Sequence, residues 1–205
     1  GASAARKKAG MKLSSHLRTS LRGIIPQSLR SSTIVRKSVE AHAGEVVSAG
    51  PFKGMWLGPE RRPTYVPKLL GTYELELHAW IERLLTRKWE RLVVVGAAEG
   101  YYVTGFARRC PDLSIDAFEA LPEARSVMKD IARGNGVDGR MRVHGICDVP
   151  ALNAACGNTT DALVIMDIEG AESVLLDPRI VPALTRSTIL VELHDAFLPG
   201  CEDCI

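Results

Sequence analysis

No run of apolar residues in this 205-residue chain approaches the roughly 20 needed to cross a bilayer as a helix. The first residues also lack an apolar core followed by a small-residue cleavage site, so no secretory signal is read there. Cysteine is sparse. Cys110, Cys147, Cys156, Cys201 and Cys204 are odd in number and follow no framework spacing, which favours a reduced, cytoplasmic setting over a disulfide scaffold. Cys201 and Cys204 form a C-x-x-C with no second pair, and a frayed end explains it more simply than a metal or redox centre. Aromatics make up only 5% of the chain, and none interleaves with the basic residues of positions 1–40. Stacking platforms for nucleic acid are therefore missing, and there is no firm nucleic-acid signal.

The composition that is present, 46% hydrophobic and 24% charged, is that of a soluble globular protein with room for one domain and an extension. The net charge of +2 conceals an asymmetry. Residues 1–40 hold nine Lys or Arg against the single acid Glu40, a balance of +8, which leaves 17 bases and 23 acids, or −6, for the remainder. Leu13, Leu17, Leu21 and Ile24 recur at helical spacing before Pro26, which predicts a short basic amphipathic helix. Such a segment can make weak contact with an anionic surface, although packing on its own domain is the commoner outcome. The expected division is a basic, partly helical extension over 1–49, a proline-rich linker or lid over 50–68, and a folded domain over 69–205.

Within that domain, Arg91 to Tyr102 organises the rest. Leu92 to Val95 is a β-branched-rich run suited to a strand buried on both faces. Gly96 interrupts it, and Gly100 follows just before a segment of helical spacing. Strand, glycine turn and helix start bring free backbone N–H groups and a positive dipole end to one place. About twenty residues later, Glu119 ends the next apolar run, where an acid can accept both hydroxyls of a ribose. The spacing is G-x-x-x-G and not the dinucleotide G-x-G-x-x-G, which points to a nucleoside cofactor without a pyrophosphate. The same Glu119 also leaves open a nucleotide-dependent, NAD-type oxidoreductase.

The periodicity predicts a helix over Leu69–Leu85 with Leu70, Tyr73, Leu77, Trp80, Ile81 and Leu84 as its apolar stripe. Further helices are expected over Tyr101–Arg109, Pro122–Arg133, Val149–Cys156 and Ala171–Leu176. Strands are expected over Leu113–Phe118, Arg140–Gly145, Ala162–Met166 and Thr188–Leu193. This alternation predicts an α/β fold: a Rossmann-like parallel sheet of about five strands flanked by helices. Five strand ends would then bring polar groups to one edge: Gly96 to Gly100, Glu119, Cys147 with Asp148, Asp167 to Glu169, and Glu192 to Asp195.

These motifs resemble those of the FkbM-type family of class I S-adenosylmethionine-dependent methyltransferases. The matching strings are Val95 to Tyr102, Ala117-Phe118-Glu119, Asn135-Gly136-Val137, Met166 to Glu172 and Val191 to Asp195. They cover roughly residues 70–198, with the D-I-E-G-A-E string the most specific. Two departures stand out: Val94 occupies a position where the family often has an acid, and the chain apparently lacks the further C-terminal strand pair. The resemblance implies an O-methyltransferase acting on a small-molecule or glycan hydroxyl, with S-adenosylmethionine as cofactor. It places Gly96, Ala97, Glu99, Gly100 and Tyr101 under the methionine part, Glu119 on the ribose, and Cys147 and Asp148 near the adenine. His194 would be the base and Asp167 would position acceptor or cofactor. The absence of an N/D-P-P-Y/F string after the fourth strand argues against methylation of a nucleobase amine. Asp167, Glu169, His194 and Asp195 could alternatively form an oxygen-rich divalent metal site, and a non-catalytic binding module of the same fold is the remaining alternative.

Overall fold

The computed structural model describes residues 31–59, 64–168, 170 and 172–193. The chain divides into two compact units, Gly1–His42 and Ala43–Ile205. Helix α1 (Ser31–Ala43) accounts for the described part of the first unit. Arg36 and Glu40 pair along it at 3.6 Å, one turn apart, and the His42 ring bonds the Ser38 carbonyl at 2.6 Å. The helix expected over Leu13–Ile24 lies outside the described residues.

The second unit is built on strands β1 (Arg91–Val95), β2 (Ser114–Phe118), β3 (Met141–His144), β4 (Ala162–Met166) and β5 (Thr188–Val191). They form one sheet in the order β3-β2-β1-β4-β5, and every pairing is parallel. The parallel α/β sheet of five strands matches the sequence expectation; residues 194–205 lie outside the described part. Leu92 to Val95 and all of β4 are buried, as expected of central strands covered on both faces. The chain moves outward from β1 to β3 on one side and then returns to β4 on the other. The order therefore reverses between β1 and β4, where such sheets open a crevice.

Register makes that crevice legible. Val95 lies opposite both Phe118 and Met166, Phe118 opposite His144, and Met166 opposite Val191. The strands thus end in one row, and the next residue of each is Gly96, Glu119, Gly145, Asp167 or Glu192. Backbone bonds carry the ladder across this boundary, with Gly96 N–H to Phe118 O at 3.0 Å, Asp167 N–H to Val95 O at 3.0 Å and Glu192 N–H to Met166 O at 3.0 Å.

Helices α4 (Tyr101–Arg109), α5 (Pro122–Gly134), α6 (Val149–Cys156) and the one-turn α7 (Glu172–Leu175) flank the sheet. Pro122 opens α5, and the Asp148 carboxylate caps α6 by accepting the Ala151 N–H at 2.8 Å.

The single helix expected over Leu69–Leu85 is in fact three pieces: α2 (Tyr65–Leu70), a 3-10 turn over Leu75–Leu77, and α3 (His78–Leu85). Gly71 makes the break. It is left-handed at φ 70°, and a Cβ there would lie 2.0 Å from the Ala49 carbonyl oxygen. The stripe is accordingly incomplete: Ile81 is buried, but Leu70 and Trp80 are exposed, Trp80 by 56%.

Residues 50–58 also differ from an extended linker. Phe52, Met55 and Leu57 are buried, and Phe52 meets the rings of Tyr101, Tyr102 and Phe106 edge-on. Asn135 clasps this segment from both sides. Its Oδ1 accepts the Trp56 N–H at 3.0 Å, and its Nδ2 donates to the Trp56 carbonyl at 2.7 Å.

One buried charge sits inside the sheet. Asp116 on β2 accepts from Arg142 Nε at 2.8 Å and Nη2 at 2.5 Å, and bonds His144 Nε2 at 2.8 Å. Burial opposes its ionisation, yet the Arg142 and His144 hydrogen bonds outweigh it and hold the carboxyl below the usual aspartate range. A carboxylate with a depressed folded-state pKa stabilises above its unfolded value and loses that contribution as pH falls through its folded one. Melting between pH 7 and pH 2 should therefore show a steep loss of stability below about pH 4, with Asp116→Asn starting lower and falling less. Parallel acid limbs for the two proteins would assign the loss elsewhere.

Candidate active site

The turn after β1 bends sharply because Gly96 takes φ 79° and Ala98, a non-glycine residue, takes φ 47°. Glu119 holds that turn in place. Its Oε2 accepts the Ala98 N–H at 2.8 Å and its Oε1 accepts the Leu121 N–H at 2.8 Å. A carboxylate offers about four acceptor positions, so two remain for a ligand. Arg125 reaches the same loop and donates to the Glu119 backbone carbonyl at 2.6 Å.

Two cavities meet at this turn, both lined by Val95, Gly96, Ala98 and Asp167. The larger, about 760 Å³, runs past Phe118 and Glu119 to Cys147, Asp148 and the last two residues of α7, Val174 and Leu175. Its lips are apolar: Ile146 is 79% exposed and Val174 57%. Apolar side chains left facing water on a cavity rim suit the faces of a flat ring. The Cys147 thiol in this wall is pushed up to about 12, by burial first and then by the Asp148 charge, so it is a neutral wall group and no nucleophile.

The smaller cavity, about 310 Å³, lies toward β4, β5 and the α2–α3 connection. Lys68 and Glu99 form a buried salt bridge in its wall, with 5% and 3% of each residue exposed. The Lys68 ammonium also lies 4.4 Å from the centre of the Tyr73 ring. The Tyr102 hydroxyl donates to Glu74, and burial followed by that hydrogen bond raises the phenol well above its ordinary value. Tyr73 is raised by the same causes in the same order, and Tyr101 is pushed up to about 12, by burial first. All three remain protonated across the physiological range.

Of the residues singled out in the sequence, Gly96 and Asp167 border both cavities. Ala97, Glu99 and Tyr101 border the smaller, and Glu119, Cys147 and Asp148 the larger. Gly100 lines neither cavity; its Cα faces Met128 of α5. Asp148 is partly committed to its helix cap, and Glu99 to Lys68. His194, Glu169 and Asp195 lie outside the described residues. Among the described residues no group of three or more His, Cys, Asp or Glu side chains is gathered as a metal site, and no helix is long and apolar enough to cross a membrane.

Lys68 and Glu74 stand outside every motif of the sequence, and Tyr102 closes the Val95 to Tyr102 string with no role assigned to it. Tyr73 read as one member of an apolar helix stripe, and nothing in the local pattern marks Lys68 or Glu74, because both reach the cavity only once Gly71 has broken the helix.

No protein-family model matches the chain, and no curated protein matches it. Among solved structures it is similar to the O-methyltransferase TomG from Streptomyces achromogenes, involved in tomaymycin synthesis and solved with SAM. That match has 16% identity and a TM-score of 0.47, over 86% of this chain and 70% of that one. It is also similar to a SAM-dependent methyltransferase from Geobacter sulfurreducens in complex with S-adenosyl-L-homocysteine, at 16% identity and a TM-score of 0.38, over 55% of this chain and 45% of that one. Precorrin 8W decarboxylase from Methanobacterium thermoautotrophicum matches at 19% identity and a TM-score of 0.48, over 63% and 69%. Likenesses this distant carry no weight for function, which rests on the residues at the sheet edge.

Proposed function

We propose that the chain is an S-adenosylmethionine-dependent methyltransferase that methylates a hydroxyl of a small molecule or glycan. The observation that carries this is the Glu119 carboxylate at the end of β2. It is fastened to the glycine turn and borders a cavity with apolar lips on one side of that turn, with an acid-rich cavity on the other. The residues present fit the cofactor. Ile146 and Val174 suit the faces of an adenine, and the open acceptor positions of Glu119 suit a ribose diol. Asp167, where the cavities join, suits the positive charge of the methionine end. The D-I-E-G-A-E string of the FkbM-type resemblance begins with that same Asp167.

S-Adenosylmethionine, when bound, supplies an activated methyl group, so the protein must align an acceptor and relieve it of a proton. Asp167 is assigned to orient the acceptor, since it borders both cavities. His194, three residues past the end of β5, is assigned as the base on sequence position alone. Tyr73, Tyr101 and Tyr102 keep their protons and therefore act as fixed donors and walls.

Thermal shift with S-adenosylhomocysteine and with NAD tests the assignment. Stabilisation by the first and none by the second is expected, and the reverse would favour an NAD-dependent oxidoreductase. Glu119→Ala should weaken S-adenosylhomocysteine by about ten- to a hundred-fold, or roughly 1.5–3 kcal/mol, measured by calorimetry on protein confirmed as folded. Unchanged affinity would remove Glu119 from the ribose.

A further inference from the structure

A third cavity lies on the sheet face that α6 covers. It encloses about 360 Å³, shares only Phe118 with the larger cavity and shares nothing with the smaller. Side chains alternate along a strand, so Arg91 of β1, Asp116 and Phe118 of β2, and Arg142 and His144 of β3 fall on this one face. On the same face α6 packs Leu152 and Ala155 against Val93 and Val95. Its share of the cavity wall is three alanines, Ala151, Ala154 and Ala155, which leave the groove beside β3 open.

The charges in this groove do not cancel. Among the described residues its acid is Asp116 alone, 4% exposed, against two guanidinium groups, which leaves a net positive charge with His144 neutral. Asp116 is already satisfied by Arg142, which grips both of its oxygens, and by His144. Arg91 is the extra cation. Its Nη1 is 3.9 Å from Asp116 Oδ2 and donates to the Ala155 carbonyl at 3.2 Å, which fixes the group on the groove wall. A guanidinium has five N–H donors. Among the described residues Arg91 keeps Nε and Nη2 unspent, and Arg142, which also reaches Ser114 Oγ at 3.4 Å, keeps Nη1. Two anchored guanidinium groups with donors to spare bind an oxyanion at little ordering cost. The His144 ring, stacked on Phe118 with 4.6 Å between centres, adds a flat surface beside them.

We propose that this groove binds a phosphate group, free or carried by a small organic molecule, with Arg91 and Arg142 as its ligands. The site does not depend on the methyltransferase reading. A phosphate accepts through several oxygens at once, so it can bridge the donors that the single carboxylate of Asp116 leaves unfilled. The volume is within the range of small-molecule pockets, so an organic group attached to the phosphate has room over the His144 ring.

Calorimetry on the full chain, at an ionic strength fixed with sodium chloride, tests the site with inorganic phosphate and phenyl phosphate as probes and phenol as control. Saturable binding of at least one phosphate probe is expected, and none of phenol. Arg91→Gln should weaken that binding at least tenfold. Ala154→Glu, at an exposed position of α6, should do the same by setting a carboxylate at the rim. It leaves the side-chain hydrogen bonds of the cluster in place, so it decides the matter should Arg91→Gln fail to fold. Phenyl phosphate at least tenfold tighter than phosphate would support a phosphorylated small molecule as the ligand, and equal affinities would support the free ion. Binding by neither probe would overturn the proposal, and so would phenol binding as tightly as phenyl phosphate. An affinity left unchanged by either folded variant would put the anion on other basic residues and overturn it too.

Discussion

Replacing Gly96 with alanine is expected to destabilise the sheet by about 3–5 kcal/mol, a large part of the stability of a domain of this size. A Cβ at Gly96 would stand 1.7 Å from the Asp167 carbonyl oxygen and 2.7 Å from its carbonyl carbon. Both atoms are backbone, and Asp167 is itself tied to β1 by its N–H bond to the Val95 carbonyl at 3.0 Å. No rotamer change relieves that contact, so β4 would have to move away from β1. The left-handed φ of 79° adds further strain for any residue with a side chain. Valine at this position should be worse still. Gly96 is therefore first a packing residue, and loss of ligand binding in its variants would follow from loss of fold. Gly100→Ala shares the backbone strain, at φ 85°, but its added Cβ meets the Met128 Cγ at 2.5 Å, a side-chain atom and not backbone, so its cost should be smaller. Denaturant unfolding followed by circular dichroism should rank the natural chain first, Gly100→Ala second and Gly96→Ala last. A Gly96→Ala midpoint equal to that of the natural chain would contradict this placement of the turn.

The second large effect belongs to Lys68. Lys68→Met should cost roughly 3–5 kcal/mol, because it leaves the Glu99 carboxylate 97% buried without its ammonium. The double variant Lys68→Met with Glu99→Gln should recover most of that loss, since removing both charges together leaves no uncompensated ion. The size of the recovery separates a charge effect from a packing effect. If the double variant were as unstable as the single one, the lost contacts of the Lys68 stem would be the cause. If the single variant melted with the natural chain, the pair would be of no structural consequence.

How far these features can be read from sequence depends on the range of the interactions that make them. β1, β4, α4 and α6 occupy the residues their local patterns indicate, because an apolar run, a glycine turn or an Asp–Pro helix start specifies each within a few positions. The same holds for Glu119, whose place at the end of β2 follows from strand length alone. The long helix over Leu69–Leu85 fails for the opposite reason. Its 3.6-residue stripe is real, but Gly71 is pressed against the Ala49 carbonyl, a contact that no local pattern contains. Residues 50–58 carry Pro51 and three glycines and read as part of a linker, while Phe52 finds three aromatic rings on α4 only after folding. Lys68 and Glu74 join the candidate site through that same rearrangement.

The most direct test is a crystal structure of the protein grown with S-adenosylhomocysteine. The adenine should lie between Ile146 and Val174, both ribose hydroxyls should be on the Glu119 carboxylate, and the homocysteine end should pass Gly96 and Asp167 into the smaller cavity. Ligand bound away from the ends of β1 and β2, or a Glu119 that makes no ribose contact, would contradict the assignment.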